Sequence, residues 1–461
     1  MPYQNQTASK SGHIDIVRNA DVNSFLDQCN YIKEPTEKEA QEIVTDYTYA
    51  PLEDRLPEKV IASDGSPYVE PINGKFPSTQ IAYIKMSLVL VDVNHYGDLM
   101  TPGERFVDPF KVATLYKNAD AITFTLPGSN VKYKSEATVK NGFRLALYEQ
   151  LSDIRTAMTR ESYTVLDTLF ALQGQQYNSL LRVGKCPNCE YEGDNGGNRK
   201  GFWFECSSPV QKCPRCKVNI YATDCLRLHE EISDFGSNIS PMTRFMNVIE
   251  HLVIAGMIRM LHDREPAALS KLAFIMDGPL AVFGQPAWVG RWLMPFLFKV
   301  DQSLIAKGLN PLLIVGLQKT GMLMEHAQAV QRFVKPGHIR IVDDDYRYKY
   351  VNAGADESKN FGEETYYGQD FLFKTEKGQM FSFAIPYPFE SKGGTDFKSK
   401  KAEISRYRDK VARACSLIRH FEFDLYHSAV VPVALAHRHA SISLMPGGKV
   451  LDLLSRTKLG G

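Results

Sequence analysis

Two Cys-x-x-Cys pairs, Cys186-Pro-Asn-Cys189 and Cys213-Pro-Arg-Cys216, constrain this chain more than any other feature of its sequence. A Cys-x-x-Cys turn sets two thiolates on one side of a tight loop. Two such turns, here with 23 residues between them, close a tetrahedron around Zn²⁺. The intervening stretch holds Phe202, Trp203 and Phe204 beside glycines, which fits the hairpin of a zinc ribbon. Six of the eight cysteines lie between Cys186 and Cys225, a clustering that points to a metal rather than a disulfide scaffold. Four thiolates saturate the ion, so its role is structural, with Cys206 and Cys225 left as substitute ligands. The module's Arg199, Lys200, Lys212, Arg215 and Lys217 read equally as a solvated face or as a nucleic-acid or partner contact.

The chain around this insert has 461 residues, of which 44% are hydrophobic and 23% charged, enough for a large core. Its 54 Lys+Arg nearly cancel its 53 Asp+Glu, which excludes a purely electrostatic nucleic-acid coat but not a local basic groove. The longest apolar run on the best helix, Leu252 to Ile258, stops at Arg259, and the charged first residues do not form a secretory leader. The expectation is a cytoplasmic protein with no membrane association. Its expected parts are an N-terminal arm (1–55, with an amphipathic stretch from Val22 to Ile32), a core in two pieces (56–183 and 229–461) and the zinc-ribbon insert (184–228).

Within the core, expected strands are 59–63, Gln80–Val93, Leu272–Met276, Pro311–Leu317, Asp370–Thr375 and Met380–Ile385. The last two are joined by a Glu376–Gln379 hairpin. Helices are expected over 141–182, from a Ser240 N-cap with Pro241 at the first turn, and over 291–306, 408–421 and 433–444. Strands interleaved with helices define an α/β fold with one mixed sheet flanked by helices.

Two of these strands end alike, at Asp64-Gly and at Asp277-Gly. An aspartate at a strand tip projects its carboxylate from the sheet edge, and the glycine turns the chain without crowding whatever is bound. Asp-Gly is also a common turn pair, so either one alone says little. Glu250 sits at the border of the apolar stripe on the long helix, next to Ile249, where a side chain looks sideways rather than into water. Three converging carboxylates are the minimum that binds two divalent cations with open sites for phosphate oxygens and water. Hard oxygen donors suit Mg²⁺ or Mn²⁺.

The order strand–Asp64-Gly-Ser, helix–Glu250, strand–Asp277-Gly-Pro-Leu, strand–Lys319-Thr and a late Ala436-His437 resembles the NurA nuclease family. The resemblance runs from Val60 to Leu444 around the inserted zinc ribbon, which is a departure from that family's core. It implies an RNase H-like fold and a metal-dependent deoxyribonuclease, exonucleolytic on DNA ends with some endonuclease action on single strands. Asp64, Glu250 and Asp277 would then hold two Mn²⁺ or Mg²⁺ ions about 3.5–4 Å apart. His437 would ligate a metal or position a water, and Lys319 at a helix start would clamp phosphate. It further implies a homodimer docked on a HerA-type hexameric ATPase, in end processing for repair or in antiphage defence. No Walker P-loop occurs, so strand separation would fall to that partner. The competing reading is an RNase H-like scaffold whose zinc ribbon and groove bind nucleic acid without cutting it. Tyr366, Tyr367 and Tyr387 could stack on bases, and Asp343-Asp344-Asp345 reads as a solvated acidic loop.

Overall fold

The computed structural model describes residues 35–53, 55–73, 76–98, 119–156, 163–177, 179–193, 200–352, 360–394, 396–422 and 430–441, with residues 22, 24, 25 and 158 besides. The chain divides into two compact units, Met1–Thr45 and Asp46–Gly461. In the first, helix α1 (Glu37–Val44) begins at a capping box. Thr36 Oγ1 accepts from the Glu39 amide, and the Glu39 carboxylate accepts from the Thr36 amide at 2.9 Å. Most of the amphipathic stretch expected from Val22 to Ile32 lies outside the described residues.

The second unit is built on a nine-stranded mixed sheet, ordered β1-β11-β12-β13-β10-β9-β2-β3-β4. The strands are β1 (Thr48–Tyr49), β2 (Lys59–Asn73), β3 (Phe76–Asp92), β4 (Ala119–Pro127), β9 (Leu272–Asp277), β10 (Leu313–Gln318), β11 (His338–Ile341), β12 (Gly368–Lys374) and β13 (Met380–Pro386). Strands β2, β3 and β4 form an antiparallel meander; β9 then runs parallel to β2, and β10 parallel to β9. That block is the RNase H-like arrangement, and the remaining strands extend it antiparallel. The hydrophobic runs in β12 and β13 are buried along their whole length, as strands covered on both faces must be.

The main helices are α2 (Val139–Leu151), α3 (Val165–Tyr177), α4 (Ile239–Arg264), α5 (Trp288–Ala306), α6 (Met322–Val330), α7 (Arg408–Phe421) and α8 (Val431–Ala440). Neighbouring residues of β2 touch α4 and α8 in turn, Ser63 reaching Glu250 and Asp64 reaching His437. Successive strand residues face opposite ways, so these two helices cover opposite faces of the sheet.

Several local expectations shift. The helix expected over 141–182 is two, α2 and α3. Helix α4 starts before Ser240, at Ile239, because Asn238 is buried and spends its side chain on the Ser233 amide and carbonyl instead of a cap. Pro241 still falls in the first turn, where no amide partner is lost. Strand β2 does not break at Asp64-Gly65. It continues to Asn73 because β3 pairs with it far beyond the point where β9 stops.

The cysteine-bearing insert forms two small hairpins, β5 (Leu181–Val183) with β6 (Phe202–Phe204) and β7 (Val210–Lys212) with β8 (Asn219–Tyr221). It is fastened to α2 by a buried bidentate pair: Arg144 Nε and Nη2 donate to the Asp224 carboxylate at 2.8 and 2.6 Å. Arg144 Nη2 also donates to the Asn219 carbonyl, and Asp224 accepts from the Tyr221 amide, so neither charge is left unsatisfied. Among the described residues no helix is long and apolar enough to cross a membrane.

Candidate metal centres

The first centre assembles from the two Cys-x-x-Cys turns, which share one backbone geometry. In each, the first cysteine's amide donates to the carbonyl five residues on (Cys186 to Tyr191, Cys213 to Val218), and the residue four on donates back to that cysteine's carbonyl. That fourth residue, Glu190 in one turn and Lys217 in the other, takes the left-handed conformation with φ of 59° and 64°. All four Sγ atoms lie within 4.8 Å of one another. The separations Cys186–Cys216 and Cys189–Cys213 are 3.6 and 3.7 Å. A tetrahedron with Zn–S bonds of about 2.3 Å has edges of about 3.8 Å, so the thiols stand where such an ion needs them. Cys206 is exposed against Asp167 and Cys225 is buried elsewhere; neither joins the cluster.

The second centre lies where β9 ends. The parallel register pairs Ser63 with Met276, which puts Asp64 beside Asp277 on adjacent strands with both side chains on the α8 face. Leu317 of β10 pairs with Asp277, and two residues on, with the strand's period, Lys319 returns to the same face. Helix α8 lowers His437 onto the pair. His437 Nδ1 is 2.7 Å from Asp64 Oδ2, and Lys319 Nζ is 2.7 Å from Asp277 Oδ2. Ligand atoms of Asp64, Asp277 and His437 fall within 4.8 Å of one another. The Asp64 carboxyl is buried while the His437 side chain is 60% exposed, so the site opens to solvent on the histidine side.

Glu250 stands on the opposite face of β2, outside that three-residue group. It is buried under the strand, with Ser63 Oγ donating to its Oε1 at 2.9 Å. Burial, then the neighbouring Asp64, pushes its carboxyl up to about 8. Burial, then Asp277, pushes Asp64 up to about 6, against the opposing pull of His437. Carboxyl groups that resist ionising together are short of positive charge, which a divalent cation supplies. Two carboxylates and one imidazole nitrogen form a donor set compatible with Mn²⁺ or Mg²⁺.

Other residues that hold this region escape a sequence reading. Ser63 has no signal of its own beyond standing next to Asp64. His251 follows Glu250 but is buried, its Nε2 donating to the Ala281 carbonyl at 2.9 Å. Its Nδ1 accepts from the Tyr367 hydroxyl at 2.7 Å. Tyr367 and Tyr387 are therefore packed inside and present no face to a base. Asp344 is likewise no solvated acid: it is buried in an ion pair with Lys401 at 2.7 Å. Asp343 caps the following turn, and only Asp345 is exposed.

No protein-family model and no curated protein matches the chain. Among solved structures it is similar to the NurA nuclease from Sulfolobus solfataricus, at 9% identity and a TM-score of 0.35 over 98% of this chain and 97% of that one. A second NurA structure gives 10% identity and a TM-score of 0.31, covering 97% of each chain. A NurA structure with manganese gives 11% identity and a TM-score of 0.24, covering 97% of this chain and 98% of that one.

Proposed function

We propose that this protein is a divalent-metal-dependent deoxyribonuclease of the NurA type. The observation that carries the reading is the meeting of Asp64, Asp277 and His437 at the end of β9, with ligand atoms within 4.8 Å of one another. Asp64 and Asp277 would hold Mn²⁺ or Mg²⁺, His437 would complete the set from the solvent side, and Glu250 would act from behind β2, through Ser63. A bound divalent ion, or a pair of them, would make a nucleophile of water and stabilise charge on the leaving oxygen. Lys319, now held by Asp277, would be released towards the phosphate when a cation takes its place on that carboxylate. The four-cysteine module would carry Zn²⁺ as a structural ion and leave the phosphodiester chemistry to the carboxylates.

The sequence resemblance to that family adds an exonuclease on DNA ends with some endonuclease action on single strands. It would work as a homodimer with a HerA-type hexameric ATPase, in repair or in antiphage defence. Its test is linearised DNA with Mn²⁺, with and without EDTA, comparing the wild type with Asp64→Ala. The expected outcome is degradation that needs the metal and falls at least about 100-fold in the variant. Equal binding with no cleavage by either protein, even beside the ATPase, would instead establish the non-cutting scaffold.

A further inference from the structure

The chain leaving Asp277 is pinned more firmly than a surface turn requires. On one side, Val282 donates to the Thr365 carbonyl at 3.0 Å and Tyr367 donates to the Leu280 carbonyl at 2.9 Å, so the loop is stitched to the lead-in of β12. On the other, α4 supplies two side chains. Asn247 Nδ2 and His251 Nε2 both donate to the Ala281 carbonyl, and Asn247 Oδ1 accepts from the Phe283 amide at 3.1 Å. The Tyr367 hydroxyl fixes the His251 ring from behind. Beyond Phe283, Gly284 takes φ of 75°, and the Arg244 guanidinium lies where any side chain there would be. Arg244 is itself held by Glu231 at 3.0 Å.

All this order ends on an aromatic ring left partly in solvent. Phe283 is 39% exposed, with its one ring contact among the described residues edge-on to Tyr366 at 6.0 Å and 84°. Single exposed hydrophobics are ordinary on protein surfaces. A phenyl ring whose amide is held by Asn247 and whose flanking chain is stitched to the lead-in of β12 is a better-fixed platform. It also follows Asp277 of the metal group by six residues, and its amide is pinned to the helix that carries Glu250.

We propose that Phe283 is a stacking platform for an unpaired nucleobase beside the phosphate being cut, so that the site takes single strands and frayed ends in preference to closed duplex. The proposal rests on the nuclease reading above and deepens it. Every base has a π-face, so such a platform tolerates any sequence, and it offers nothing to a base still stacked in a helix.

The test uses the full chain as wild type, Phe283→Ala and Phe283→Trp. Each is titrated with end-labelled oligothymidylate and with a blunt duplex of equal length, with Ca²⁺ replacing Mn²⁺ to prevent cutting. Mn²⁺ binding by calorimetry and Mn²⁺-dependent cleavage are measured alongside. Phe283→Ala should weaken oligothymidylate binding roughly 5- to 100-fold, leave duplex and Mn²⁺ binding at wild-type levels, and raise KM on single strands more than it lowers kcat. Phe283→Trp should restore binding. An unchanged oligothymidylate affinity, or an equal loss on duplex, in a protein that still cleaves DNA overturns the platform alone. A wild type that neither binds nor cleaves overturns the nuclease reading and the platform with it.

Discussion

The two candidate metal centres are opposites in construction. The cysteine centre is made of two copies of one local turn, each able to form from six consecutive residues, and the sheets beside it are short hairpins. The carboxylate centre is made of single residues from β2, β9, the end of β10 and α8, with Asp64 and His437 373 positions apart. A centre built locally would use its ion to tie two separate turns to each other, although the hairpins beside them also bury Leu181, Phe204 and Ile220. A centre built by the sheet is placed by the sheet, and its ion has only to relieve charge.

That contrast can be broken in several ways. Stripping zinc, or Cys213→Ser, should cost on the order of 10 kcal/mol in the module and unfold residues 181–221. Hydrogen exchange there should become fast while β2 and β9 stay protected. Slow exchange across the module in chelator would show that the hairpins stand without the metal. Arg144→Ala should come next, at about 3–5 kcal/mol, because it strands the Asp224 carboxylate in the interior. A double variant, Arg144→Met with Asp224→Leu, should recover much of that loss in chemical denaturation.

The carboxylate centre should show its strain in pH dependence. Glu250 is raised from 4.5 to about 8 and Asp64 from 3.8 to about 6, so between roughly pH 4 and 8 these two groups hold more protons folded than unfolded, while buried His229, His251 and His326, lowered to about 4, do the reverse. Relative to Glu250→Gln, the metal-free wild type should therefore lose stability as pH rises from 5 to 8, by a few kcal/mol at most on the order of the Glu250 shift. Mn²⁺ should reduce that difference. A difference between the two proteins that stays constant over this window would contradict the burial of Glu250. Smallest of all, Lys217→Gly should stabilise the holo protein by up to about 1 kcal/mol, since its left-handed backbone suits glycine. No change in the denaturation midpoint would mean that Lys217 gains as much from its surroundings.

The same contrast explains what could be read from the residues alone. The cysteine ligands follow from spacing, because the turn that binds the metal is also the turn that the sequence encodes. Asp277 was legible because β9 does end there. Asp64 was picked for a break that does not exist: it lies inside a longer strand, and it is the shorter neighbour that uncovers it. Strand β4 passed unnoticed despite Ile122, Phe124 and Leu126 alternating along it, its signal too short beside the turns around it. Ser63, His251 and Tyr367 earn their places through partners 30 to 187 residues away, and no local pattern encodes that. Phe283 stands out only once its exposure and its pinned backbone are seen together.

The overrun of β2 beyond β9 has its own consequence. Among the described residues no strand covers that side of β2 past Ser63, so Asp64 is followed by a bare sheet margin, the kind of border that invites another chain to zip on. Pro67 and Pro71, four apart and so in the same phase, carry no amide hydrogen to offer along it. The margin is thereby blunted, and the approach to the aspartates stays clear of intruding backbone.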